Sequence, residues 1–162
     1  MDVALISDTH VPSRAPGIPD EFRERIAAAD HVIHAGDFDS KEAVADVRDL
    51  AESLTAVAGN MDPRGGPPDT ASVELGGVEF VVTHGTGPTR GYEDRVATIV
   101  REQGGAGAIG VSGHTHEVMD RVHDGVRLLN PGSATGAPPA TRPTMMTASV
   151  ADGDCDVTLQ EL

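Results

Sequence analysis

Short apolar runs alternate with amphipathic stretches in the first part of the chain. Three apolar runs fit buried strands, at 3–7, 32–35 and 54–58. Helical signals follow the first two runs, at 20–29 and 40–50, and we expect Asp20 and Ser40 to cap these helices. A strand–helix–strand–helix–strand order is typical of βαβ units, so this part predicts a locally parallel sheet.

The remainder of the chain is richer in predicted strands. After a loop of Gly and Pro at 59–69, we expect a helix at 91–103 and strands at 71–75, 78–83, 108–112, 118–123, 126–130, 144–150 and 155–161. Gly76-Gly77, Asp124-Gly125 and Asp152-Gly153-Asp154 are hairpin signals, and 131–143 is predicted to be a long loop. The layout predicts an α/β fold in which two β-sheets pack together between flanking helices, as one domain over 1–162.

Composition narrows the class of protein. Only 2% of the 162 residues are aromatic, so we expect an aliphatic core. No apolar run approaches the roughly 18 residues that span a bilayer. The start at Met1-Asp2 lacks the basic region of a signal peptide, so a cytoplasmic protein is expected. Cys155 is the single cysteine, which excludes an internal disulfide and a multi-cysteine zinc site.

The net charge of −14 argues against the nucleic-acid backbone as a partner, because proteins that bind it present basic faces. Lys41 is the only lysine beside 26 acidic residues, a balance that resembles proteins from salt-loving hosts. An ordinary acidic protein from a GC-rich genome is the alternative. A homo-oligomer is compatible with the sequence.

Polar residues that can bind metal ions follow five of the apolar runs directly. These residues are Asp8 and His10, Asp37, Asn60, His84, and His114 and His116. In sheets with parallel strands, ligands bind at the carboxyl ends of the strands, so we expect these side chains to converge on one edge. Carboxylate and imidazole together suit Mn, Fe, Zn, Ni or Co. Two such ions can activate a bridging water and stabilise both oxygens of an in-line displacement, which is the chemistry of phosphoester hydrolysis.

The order DTH, GD, GNMD, THG and GHTH resembles the calcineurin-like metallophosphoesterase superfamily. More narrowly, it is similar to the small bacterial and archaeal phosphodiesterase branch, which includes the retromer scaffold subunit and commonly carries the NPGS found here at 130–133. The resemblance implies a four-layer α/β/β/α sandwich of two mixed β-sheets flanked by helices. It also implies two divalent cations, with Mn favoured and Ni, Zn, Fe, Co or Mg as alternatives.

The resemblance also divides the ligands between two metals. It implies that one ion is held by Asp8, His10 and His116. It implies that the other is held by Asn60, His84 and His114. Asp37 is expected to bridge them, and Asn60 and Thr86 are expected to contact substrate.

Two positions depart from the wider family pattern. Met61 stands where many members have a histidine that protonates the leaving group, and Thr86 stands where branch members often have another. The general acid is therefore in doubt. Asp62 is the predicted catalytic residue, either orienting a ligand or relaying a proton. An activated leaving group lowers the need for an acid.

The leading functional hypothesis is a metal-dependent phosphodiesterase for a small phosphodiester or nucleotide. A phosphomonoesterase or phosphoprotein phosphatase is one alternative, and Met61 speaks mildly against it. A non-catalytic scaffold module on the same fold is another, although a scaffold has no reason to keep every ligand. Arg64 and Arg90 follow ligand motifs and are either phosphate contacts or plain surface residues, whereas His34 is expected to pack in the core or behind the site.

The acidic composition predicts salt-dependent stability. At about 1 M salt the Debye length falls to about 3 Å, so surface carboxylates barely repel one another. We therefore expect the melting temperature to fall when the protein is dialysed from molar to low salt. A melting temperature that stays unchanged would contradict the salt-loving interpretation.

Overall fold

The computed structural model describes residues 1–162 and contains ten strands and three helices. The strands are β1 (Asp2–Ile6), β2 (His31–His34), β3 (Leu54–Ala56), β4 (Thr70–Leu75), β5 (Val78–Thr83), β6 (Ile109–Val111), β7 (Met119–His123), β8 (Val126–Asn130), β9 (Thr144–Ala151) and β10 (Asp154–Glu161). The helices are α1 (Asp20–Ala28), α2 (Lys41–Leu50) and α3 (Tyr92–Gln103). None of the three helices is long and apolar enough to cross a membrane.

The strands form two five-stranded mixed sheets. The first has the order β10-β9-β1-β2-β3, and the second has the order β4-β5-β6-β8-β7. β1, β2 and β3 run parallel to one another, as do β5, β6 and β8. β9 and β10 are antiparallel to their neighbours in the first sheet, and β4 and β7 are antiparallel to theirs in the second. The strands that precede the predicted ligands thus lie in the parallel part of each sheet.

Alternation along the strands produces three apolar layers. Val3 and Leu5 of β1 enter the cluster between the sheets, whereas Ala4 and Ile6 enter the cluster beneath α1 and α2. Successive side chains of a strand point to opposite faces, so one strand serves both layers. In the second sheet, side chains on the face opposite the other sheet form the apolar cluster beneath α3. The predicted four-layer α/β/β/α sandwich is confirmed.

The element boundaries agree with the sequence-based expectation to within two residues throughout. Ser40 caps α2 as predicted, because its hydroxyl accepts a hydrogen bond from the Ala43 N–H at 3.0 Å. The predicted cap at Asp20 is wrong. Pro19 occupies the N-cap position of α1, and Asp20 lies in the first turn instead. A carboxylate in a first turn is still favourable, because it faces the positive end of the helix dipole.

Leu129 of β8 is fully buried between the sheets, whereas Leu159 of β10 is 39% exposed. We expect Leu129→Ala to lower the free energy of unfolding by about 2–5 kcal/mol, because it removes buried methyl groups and leaves a cavity. Leu159→Ala, the matched control, should cost about 0.5 kcal/mol or less. Denaturant unfolding of both variants measures the difference, and equal losses would contradict this assignment of the core.

Candidate metal centre

The seven predicted ligands lie at the carboxyl ends of β1, β2, β3, β5 and β6, where the two sheets face each other. Five of them are buried: Asp8, His10, Asp37, His84 and His116. His114 is half-buried and Asn60 is exposed. The cluster therefore has a closed floor and a side that is open to solvent.

One group of ligand atoms surrounds Asp8. The Nε2 atom of His116 lies 3.3 Å from the Oδ1 atom of Asp8, and the Nε2 atom of His10 lies 3.8 Å from it. The two Nε2 atoms of these histidines are 3.2 Å apart. One carboxylate oxygen and two imidazole nitrogens thus converge, in the grouping predicted for the first metal.

A second group surrounds Asp37. Its Oδ2 atom lies 3.1 Å from the Nε2 atom of His84 and 3.6 Å from the Nε2 atom of His10. Asp37 therefore lies between residues assigned to different metals, which is the position required of a bridging ligand. On the open side of the cluster, the Nδ1 atom of His114 lies 3.2 Å from the Oδ1 atom of Asn60.

Each of the four histidines binds an acceptor through its outer ring nitrogen. The acceptors are the Asp39 carboxylate for His10, the Ala35 carbonyl for His84, the Gly87 carbonyl for His114 and the Ala137 carbonyl for His116. Because a carbonyl or carboxylate oxygen only accepts, the outer nitrogen carries a proton, and in the neutral ring the inner nitrogen presents a lone pair. This is how proteins orient imidazoles that ligate metals.

Two buried atoms of the cluster have no hydrogen-bond partner, the Oδ1 atom of Asp8 and the Nε2 atom of His84. The other oxygen of Asp8 accepts from the Ser7 hydroxyl at 2.7 Å and from the His114 N–H at 3.1 Å. An unpaired buried polar atom is costly, and here both such atoms are electron-pair donors that face each other. The donor set therefore fits divalent cations better than it fits any internal hydrogen-bond network.

The electrostatics of the cluster favour ionised carboxylates. Burial acts to raise the pKa of Asp8, but hydrogen bonds with His10 and His116 outweigh it and hold the pKa below its ordinary value. Burial acts to lower the pKa of His10 and of His84, but their carboxylate partners raise both above the ordinary value. Protons therefore compete with cations for these histidines, and the competition is strongest at acidic pH.

The backbone at the site is strained. Eight residues other than glycine have positive φ angles, and six of them lie at the site: the ligands Asp8, His10, Asp37, His114 and His116, and Asp39, which binds His10. The left-handed conformation costs such residues roughly 1–2 kcal/mol each. Strain of this kind persists only where the surroundings hold it, and it concentrates at functional sites.

Two glycines allow the backbone to approach the ligands closely. A Cβ atom at Gly59 would overlap the Oδ1 atom of Asp37, and a Cβ atom at Gly113 would overlap the Ser7 hydroxyl and crowd the Oδ2 atom of Asp8 at 2.5 Å. The glycines of the GN and GH motifs are therefore required by the position of the carboxylates. Steric contact thus explains why both motifs contain glycine at this position.

Asp62 lies beside the cluster, and backbone N–H groups occupy its carboxylate. Its carboxylate accepts hydrogen bonds from the N–H groups of Asp37 at 2.9 Å, Asp39 at 2.8 Å and Gly59 at 2.8 Å. It thereby joins the loop after β2 to the loop after β3. The neighbouring Met61 side chain is 46% exposed, while its N–H donates to the Oδ1 atom of Asp37 at 2.8 Å.

Sequence reasoning missed Asp39, which holds the outer nitrogen of His10 at 2.9 Å and accepts a hydrogen bond from the Ser13 hydroxyl. The spacing Asp37-x-Asp39 was the available signal.

His34 is fully buried, as expected for core or supporting packing. It accepts from the Gly36 N–H at 3.1 Å and contacts the Thr9 hydroxyl at 3.0 Å. Burial lowers its pKa to about 3, so the ring is neutral.

The NPGS segment connects two ligand motifs. The amide of Asn130 donates to the Gly113 carbonyl at 3.0 Å and to the Thr115 hydroxyl at 3.0 Å, which supports the GHTH turn. The hydroxyl of Ser133 donates to the Asp8 carbonyl at 2.7 Å, which supports the DTH turn. The segment thus fixes the ends of β1 and β6 relative to each other.

Thr86 lies on the exposed loop after β5, and Arg64 and Arg90 are also exposed. A cavity of about 420 Å³ adjoins the ligands and is lined by Asn60, Asp69, Thr70, His84, Thr86 and Arg95. The structure therefore brings the two predicted substrate contacts, Asn60 and Thr86, to one cavity.

Gly59→Ala should weaken metal binding by about 10–100-fold, because the new Cβ displaces the Asp37 carboxylate. Gly66→Ala in the same loop is the matched control, since its Cβ would meet only the Pro63 carbonyl at 3.7 Å. Calorimetric titration with Mn²⁺ measures both variants. Equal affinities would show that the close approach at Gly59 does not matter.

Comparison with known proteins agrees with this geometry. The family model of the calcineurin-like phosphoesterase superfamily domain matches residues 1–153. A protein from Methanothermobacter thermautotrophicus named probable metallophosphoesterase is 33% identical, over 95% of this chain and 88% of its own length. A probable metallophosphoesterase from Methanocaldococcus jannaschii is 34% identical, over 94% of this chain and 77% of its own.

Among solved structures, zinc-bound Vps29 from Entamoeba histolytica superposes with a TM-score of 0.78 at 27% identity, covering 99% of both chains. The fold is therefore shared over the full length. The family match over residues 1–153, together with the identity to two probable metallophosphoesterases, shows that this chain belongs to the calcineurin-like phosphoesterase superfamily.

Proposed function

We propose that this protein is a metal-dependent phosphodiesterase that hydrolyses a small phosphodiester or nucleotide with two divalent cations, manganese being the favoured metal. The observation that carries the proposal is the convergence of unpaired electron-pair donors. The buried Oδ1 atom of Asp8 and the buried Nε2 atom of His84 have no hydrogen-bond partner, and the Nε2 atoms of His10 and His116 lie within 3.8 Å of the same Asp8 oxygen. Cations at this place would neutralise phosphoryl oxygens and acidify a water nucleophile.

The residues of the chain have separate tasks in this proposal. Asp8, His10 and His116 hold one cation, while Asn60, His84 and His114 hold the other. Asp37 is shared, which its place between His10 and His84 supports.

The exposed mouth of the site offers little acid catalysis. The Met61 side chain carries no proton to donate, and Thr86 has only a hydroxyl. Of the two roles predicted for Asp62, we favour orientation of the ligands, because three backbone N–H groups already occupy its carboxylate. A site without a dedicated acid favours substrates with good leaving groups, and this supports the diester over an alkyl monoester.

The charge of the protein favours a small substrate over a polymer. At −14, the protein as a whole repels a polyanion, whereas a single phosphodiester is attracted locally by bound cations. Asn60 and Thr86 line the adjoining cavity and are the proposed substrate contacts.

The similarity to Vps29 favours a second candidate function, an interaction module on the same fold. The two candidates differ in what they require of the cluster. An interaction module does not depend on the lone-pair geometry of the histidines, whereas hydrolysis does. Turnover therefore distinguishes them.

Asp37→Ala should reduce hydrolysis of bis(p-nitrophenyl) phosphate with Mn²⁺ to the background rate, because both cations lose their shared ligand. Asp37→Asn removes the charge of this side chain while its shape is kept. Asp49→Ala, on the exposed face of α2, is the control and should retain full activity. The assay also compares p-nitrophenyl phosphate, which we expect to be the poorer substrate.

Full activity of Asp37→Ala would reject the bridging assignment. A wild-type protein that binds Mn²⁺ and hydrolyses neither compound would reject the enzyme and favour the interaction module.

A further inference from the structure

Arg95 on α3 is a half-buried arginine with no carboxylate within ion-pair distance, in a chain with 26 acidic residues. Its Nη2 atom donates to the carbonyls of Gly85 and Pro88, each at 3.0 Å, and its buried Nε atom has no partner. A guanidinium in this setting acts on the backbone of the neighbouring loop.

That loop is the segment 85–88, which follows His84 at the end of β5. No backbone–backbone hydrogen bond holds its residues to the rest of the protein. Its carbonyls bind side chains instead: Arg95 binds those of Gly85 and Pro88, and His114 binds that of Gly87. The guanidinium also fills the inside of the turn, since a Cβ atom at Gly87 would lie 3.0 Å from the Arg95 Cζ atom. Arg95 is thus the main anchor of the segment.

The Gly87 carbonyl determines which ring nitrogen of His114 carries the proton. Nε2 of His114 donates to this carbonyl at 2.8 Å, so in the neutral ring its Nδ1 atom carries the lone pair, 3.2 Å from the Oδ1 atom of Asn60. Two electron-pair donors then point at one another, as ligands of a common cation do. His114 differs in this respect from His84, whose acceptor is the carbonyl of Ala35 directly after β2 and therefore needs no further support.

We propose that Arg95 is a positioning residue for the metal centre. It holds the Gly87 carbonyl where that carbonyl fixes the ring of His114, and so it controls the affinity for the cation at Asn60, His84 and His114 without touching that cation. The inference rests on the proposed two-cation site. It predicts a selective effect, because the side-chain hydrogen bonds of segment 85–88 come from Arg95 and His114 and none comes from Asp8, His10 or His116.

The test uses Arg95→Lys, which keeps the positive charge but replaces the planar fork by a single ammonium group. Arg101→Lys on the same helix is the matched control, because this exposed arginine makes a single side-chain hydrogen bond, to the Asp124 carbonyl at 3.5 Å. Calorimetric titration of the metal-free proteins with Mn²⁺ should show that one of two binding steps weakens by about 10–100-fold in Arg95→Lys while the other is unchanged.

A second readout does not depend on metal or activity. In ¹⁵N NMR spectra of the metal-free wild type, the His114 ring should show the Nε2–H tautomer. In Arg95→Lys it should shift toward a mixture of tautomers, while His84 and His116 keep theirs. Urea unfolding of both lysine variants separates this local change from a general loss of stability.

Three results would overturn the assignment. Unchanged Mn²⁺ binding and an unchanged His114 tautomer would show that Arg95 does not position the ring. A raised KM for the phosphodiester with normal Mn²⁺ binding would show that Arg95 contacts substrate instead. Equal weakening of both binding steps with a lower free energy of unfolding would show a general structural role.

Failure of the proposed function looks different. A wild-type protein that binds two Mn²⁺ ions without turnover leaves the Arg95 inference intact if the selective loss is seen. A wild-type protein that binds a single ion rejects the two-cation proposal, and the tautomer of His114 in Arg95→Lys then decides the role of Arg95 by itself.

Discussion

Two buried aspartates, Asp8 and Asp37, impose the main physical constraint on this structure. Both carboxylates are buried; burial acts to raise the pKa of Asp37, but its hydrogen bond with His84 and the charge of that ring hold the pKa below its ordinary value. Like charges in such surroundings stay ionised only beside positive charge or hydrogen-bond donors. The imidazoles around them supply hydrogen bonds and raise their own pKa in doing so, so protons and cations compete for the space between the carboxylates and the rings. The remaining polar contacts of the site serve to keep that arrangement.

The support lies in a ring of outer hydrogen bonds. Asp39 orients His10, Asp62 joins two ligand loops, and Asn130 and Ser133 connect the GHTH and DTH turns. These contacts surround six residues at the site whose backbone is left-handed, a conformation that persists only where the surroundings hold it. Arg95 extends the same principle to the loop after β5, where no backbone ladder supplies the support. The geometry of the candidate metal centre therefore depends on these supporting contacts as much as on the ligands themselves.

The apolar layers and the polar site are separate in space. None of the three apolar clusters includes a predicted ligand, and the site occupies one edge where parallel strands end. The packed sheets thus provide a rigid base, while the loops above them provide the chemistry. At the open side, Met61 and Thr86 are exposed in place of histidines, and neither side chain is an acidic proton donor, which supports the range of substrates that we propose.

The sequence by itself determined the order of strands and helices, because hydrophobic periodicity is a local property of the chain. It also indicated the ligands, because each follows a strand that ends at the same edge. Only the tertiary structure decided that Pro19 displaces Asp20 as the cap of α1, that Asp39 binds His10 and that Arg95 binds the loop after β5. The contact between Asp8 and the His114 N–H joins residues 106 positions apart. No local pattern encodes such pairings, since they arise only when the two sheets pack and bring their loops together.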